Sequence, residues 1–120
     1  MTKFLVFHQK ALVGHSALEH GDPPMGVAFG QFVPAPDYEA IAAYCKGNHA
    51  DQTELALSVQ TEDGFIIPCV GVGVLDYTED AGDFYAELNV LGIAHDVYAR
   101  LFPGHVAAYD GQFGGIREAN

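Results

Sequence analysis

Apolar and polar positions alternate in short runs along most of this chain, and only two stretches switch to helical spacing. Lys3 to His8 is rich in Phe, Leu and Val and predicts a strand. Ala11 to Gly14 can pair back on it through a turn at Gln9-Lys10. Ser16-Ala17-Leu18-Glu19 has the outline of a capping box, which predicts a single helical turn. Two prolines force a loop at Gly21-Asp22-Pro23-Pro24, and Met25 to Val33 then reads as a strand ended by Pro34 and Pro36.

Tyr38, Ile41, Ala42 and Cys45 fall at i, i+3, i+4 and i+7, so a helix is predicted over about 37–46. Asp37 is its expected N-cap, and Gly47 follows Lys46 as a suitable C′ residue. From Glu54 to Gln60, Leu55, Leu57 and Val59 share one face. Asp63-Gly64 between apolar runs is a strong hairpin signal. The return strand from Phe65 carries Pro68, which argues for an edge or a bulge. Val70, Val72 and Val74 then share a face, and Gly71 and Gly73 on the other leave room for another backbone or a helix. With Phe84 to Leu91 this makes a meander over 54–91. Ala94, Val97, Tyr98 and Leu101 predict a second helix over about 94–102, stopped or kinked at Pro103.

The order of these elements predicts one α+β domain spanning 1–120, with a mostly antiparallel sheet of about five to six strands and two helices. Connections as short as 61–64 and 76–83 disfavour a doubly wound parallel sheet. At 120 residues, with 49% hydrophobic and 18% charged content, the chain can build a core without disulfides or metal. The first residues lack the apolar run of a secretory signal, and no stretch is long enough for a membrane span. Cys45 and Cys69 fit no paired-ligand spacing and read as free thiols. The expected location is the cytoplasm.

The candidate chemistry is sparse. His8, His15, His20, His49, His95 and His105 match no standard zinc spacing, so no metal or other cofactor is expected. Ser16 lies beside His15, Glu19 and His20, but a catalytic triad is defined by geometry, and Ser16 reads more simply as a cap. Gly71-Val72-Gly73-Val74 lacks the third glycine and following helix of a phosphate-binding loop. No catalytic residue is assigned. The enzymatic alternative is a small enzyme or metal-dependent protein using His15, His20 and His105.

Charge changes the picture more. The net charge is −11, which repels a phosphate backbone and argues against nucleic acid. The excess is also regional: between Lys46 and Arg100 there are ten acids and no Lys or Arg. The densest part, from Asp76 to Asp83, lacks the ligand order of a calcium loop. A one-signed surface of this kind speeds encounter with a basic partner and rejects wrong ones. The expected binding residues are Glu62, Asp63, Asp76, Glu79, Asp80 and Asp83. A monomer or a homodimer through the Val70–Val74 strand both fit.

Gly14-His15-Ser16-Ala17-Leu18-Glu19, the run from Gly21 to Gly30, and Leu101-Phe102-Pro103-Gly104-His105-Val106 give the chain a resemblance to small uncharacterised bacterial cytoplasmic proteins. In size and acidity it is similar to immunity proteins that neutralise bacterial toxins. The second resemblance implies a non-catalytic inhibitor of a basic protein and transfers no particular residue.

Overall fold

The computed structural model describes residues 3–78 and 82–114. It is α+β, with two four-stranded sheets in which every pairing is antiparallel. The strands are β1 (Phe4–His8), β2 (Ala11–Ser16), β3 (His20–Asp22), β4 (Val27–Gln31), β5 (Val33–Pro34), β6 (Leu57–Thr61), β7 (Gly71–Asp76) and β8 (Ala86–Leu91). One sheet runs β5-β2-β1-β6 and the other β3-β4-β8-β7.

The two sheets are parts of one ladder. β2 runs on into β3, and β4 runs on through Phe32 into β5, so a single bent hairpin belongs to both. The Asp63-Gly64 turn returns the chain beside β6, where Ile66 bridges Gln60 and Ile67 N–H donates to Val59 O at 2.9 Å. That segment then continues into β7. Pairing can therefore be followed from β6 through β1 and the bent hairpin to β8 and β7, with Ile66 and Ile67 touching β6 just before β7 begins.

The bend in the hairpin has a local cause. His15 lies opposite Val33 and His20 opposite Phe29, five steps on one strand against four on the other. The extra residue is a bulge at Ser16–Glu19, where the capping box predicts a helical turn. Ser16 Oγ accepts from Leu18 N–H at 3.0 Å, as a cap would, but Leu18 itself leaves the helical region and no helix follows. Leu18 sits at φ +47° and is fully buried. The left-handed backbone costs about 1 kcal/mol, which burial of the leucine side chain offsets.

The predicted meander over 54–91 is divided between the sheets. Pro68 has no N–H to continue the ladder beside β6, and the chain crosses there to pair with β8 instead. Val70, expected on the face of Val72 and Val74, is 89% exposed. Its N–H reaches Leu91 O one register step away from the regular β7–β8 pairing. The first predicted helix is broken too. A 3₁₀ turn at Pro36–Ala40 precedes α1 (Ala42–Gly47), with Ile41 at φ −119° between them. Pro36 starts that turn and Ala35 occupies the cap position, so Asp37 lies inside the first turn. Tyr38, Ile41 and Cys45 nonetheless face the core, as their spacing predicts.

The second predicted helix is α2 (His95–Leu101), and Pro103 opens a further one, α3 (Pro103–Tyr109). Tyr98 OH donates to Val27 O at 2.8 Å, and Phe102 packs on Phe4 with ring centroids 5.3 Å apart. Residues from both sheets join these side chains in one core, led by Val6, Val13, Val59, Val74, Leu88 and Val90. No helix among the described residues is long and apolar enough to cross a membrane.

Candidate functional site

The ladder is weakest between β6 and β7. Ile66 and Ile67 meet β6, but β7 itself pairs only with β8, and the segment 48–56 lies along its free side. The side chain of Gln52 takes the place of a missing strand there. Its Oε1 accepts from Val74 N–H at 2.7 Å, and its Nε2 donates to Val74 O at 2.7 Å and to Asn48 O at 2.9 Å. His49 Nε2 lies 2.9 Å from Asp76 O, and because a carbonyl only accepts, that nitrogen carries the proton. Two side chains thus satisfy backbone groups that would otherwise be buried without partners.

An open groove of about 530 Å³ lies over this seam. Gly71 and Gly73 form its floor, Asp51, Gln52 and Thr53 one wall, and Asn89 and Leu91 the other. The volume is within the range of ligand sites, roughly 300–1,000 Å³. No Lys or Arg lines it among the described residues. Asp51 Oδ1 accepts from both Thr53 N–H at 3.0 Å and Thr53 Oγ at 2.6 Å, and these bonds hold its carboxyl below the usual range.

The end of β7 is anchored by a buried polar cluster. Tyr38 OH donates to Asp76 Oδ2 at 2.5 Å, and Thr78 N–H donates to Oδ1 at 2.9 Å. Burial opposes ionisation of Asp76, but the bonds from Thr78 and Tyr38 outweigh it and lower its pKa. Tyr38 is pushed in the opposite direction, first by burial and then by its bond to Asp76. Burial also lifts the Cys45 thiol to about 11, which leaves it unreactive as a nucleophile.

Of the acidic residues singled out from sequence, the structure turns one inward. Asp76 is only 3% exposed and is committed to this cluster, so it presents no charge to a partner. Alternation along β7 places it inward with Val72 and Val74, a consequence the density of acids in the sequence conceals. Glu62 and Asp63 are exposed at the hairpin tip, where Asp63 accepts from the Thr61 hydroxyl and Glu62 Oε1 from Lys3 N–H at 3.2 Å. Asp83 is exposed on the connection after β7. Glu79 and Asp80 lie outside the described residues.

The histidines divide as well. His20 and His105 line a cleft of about 720 Å³ with Glu19 and Asp22, whereas His15 opens onto a separate depression with Lys3 and Ser16. His105 Nε2 donates to Leu18 O at 2.7 Å, and its ring stacks on Phe102. His20 packs against Phe29. Ser16 is buried with its hydroxyl on Leu18 N–H, away from any histidine bond. Among the described residues no three His, Cys, Asp or Glu side chains converge to hold a metal ion. Gln52 carried no signal in the sequence, being an amide in a loop without periodicity. The Gly-x-Gly alternation at 71 and 73 did.

A comparison with family models, with curated proteins and with solved structures finds no match to this chain.

Proposed function

We propose that this is a non-catalytic binding protein that meets a basic protein partner through its acidic surface, acting as an immunity or inhibitor protein. One observation carries the reading: the stretch between Lys46 and Arg100 holds ten acids and no cation. Of these, Asp51, Glu54, Glu62, Asp63, Asp83 and Asp96 are exposed. A field of one sign raises association rates by about 10–1,000-fold at low salt and loses that advantage as salt is added. The buried Cys45 thiol and the bonds that tie His49 and His105 to backbone carbonyls support binding over catalysis.

The test is capture of poly-L-lysine, followed by association rate against ionic strength. Charge reversal at Glu62, Asp63 and Asp83 together should slow association by about tenfold and flatten the salt dependence. Rates that are insensitive both to salt and to the reversal would sink the proposal.

A further inference from the structure

The glycine floor of the groove has no structural reason to be glycine. Gly71 and Gly73 are not among the glycines at positive φ, so their backbone suits any residue. A Cβ added at Gly71 would meet no described atom within 4 Å, and one at Gly73 only the Gln52 side chain at 3.4 Å. Glycine inside a strand weakens it, through lost chain entropy and the missing side chain. Two glycines on the outer face of one strand thus give up stability and leave a bare stretch of backbone. What such a floor offers is close approach by another backbone.

The rim adds to this. Val70, 89% exposed, and Leu91, 45% exposed, stand side by side as apolar contact surface. Asp51 lies on the opposite wall, held in place by Thr53. We infer that the groove is a docking trough for an extended basic segment of the partner, whose backbone lies on Gly71 and Gly73 with a Lys or Arg beside Asp51. This rests on the reading that the partner is a basic protein. The absence of cations from the lining and from the whole stretch 47–99 selects a basic occupant over an acidic one.

The probe is a fluorescent peptide of alternating Lys and Val, about six residues long, with poly-L-lysine as a measure of surface charge alone. Gly71→Val should weaken peptide binding by about tenfold or more, because the new side chain fills the floor. Its thermal midpoint should hold or rise, and capture of poly-L-lysine should persist. Gly73→Ala, which introduces an ordinary contact with Gln52, should weaken the peptide to a lesser degree. Peptide affinity unchanged in both variants overturns the trough while leaving the basic-partner reading intact. A wild-type protein that binds neither probe removes both. A wild-type dimer that Gly71→Val converts to monomer assigns the groove to a second copy of the chain and overturns the proposal.

Discussion

Glycines occupy two regions of this fold for opposite reasons. In the bent hairpin they are demanded by packing. A Cβ at Gly14 would strike the Phe32 ring and Val33 O, one at Gly21 the Tyr98 hydroxyl and the His105 ring, and one at Gly30 the Glu19 carboxylate. In β7 a side chain at Gly71 would enter open space. The corner is filled to the density of an interior, whereas the seam is closed by polar side chains and left hollow outside.

The largest effect that would sharpen this contrast is at the corner. Gly14→Ala should cost about 3 kcal/mol or more, since backbone at Val33 O cannot move aside without disturbing the β2–β5 pairing. Denaturant unfolding measures this, and a loss under 1 kcal/mol would show the corner to be looser than described. Next comes the seam. Gln52→Ala leaves Val74 N–H and C=O without partners at a cost of about 2–3 kcal/mol. Hydrogen exchange should accelerate in β7 and not in the bent hairpin; uniform acceleration would mean the two regions are not separable.

A smaller, pH-dependent effect belongs to Asp76. Its folded pKa lies below the ordinary value of 3.8, so its ionisation adds stability that is fully present above that value and is lost as pH falls through the folded one. Asp76→Asn should therefore be less stable than the wild type by about 1–2 kcal/mol at pH 7, with the gap closing in acid. Thermal melts from pH 7 down to about 2 test the sign, and a gap that widened in acid would refute it. The smallest effect is the gain at the seam: Gly71→Val should stabilise by up to about 1 kcal/mol.

The sequence made the α+β class legible because the periodicities of β1, β2, β8 and α2 are local. Tyr38, Ile41 and Cys45 identified their buried face correctly although the helix they predict is broken at Ile41. What periodicity could not supply was the point at which a strand changes sheets. Phe32 lies unmarked inside the predicted strand from Met25 to Val33 and Pro68 reads as an edge or a bulge, and only the pairing shows that both are crossings. The acidic surface was misjudged at Asp76 for a related reason. A charge count carries no direction, and alternation with Val72 and Val74 turns that carboxylate inward. Gln52 was invisible because the strand it closes, at Val74, lies 22 residues away.

The hydrogen bond from His105 to Leu18 joins residues 87 apart. A ribosome delivers the bent hairpin long before it delivers α3, so the strained leucine at the corner is made early and clamped last. The delay is inexpensive, because the entropy of closing a loop grows only with the logarithm of its length. α3 therefore ties down, from late in the chain, a corner formed by residues near its start.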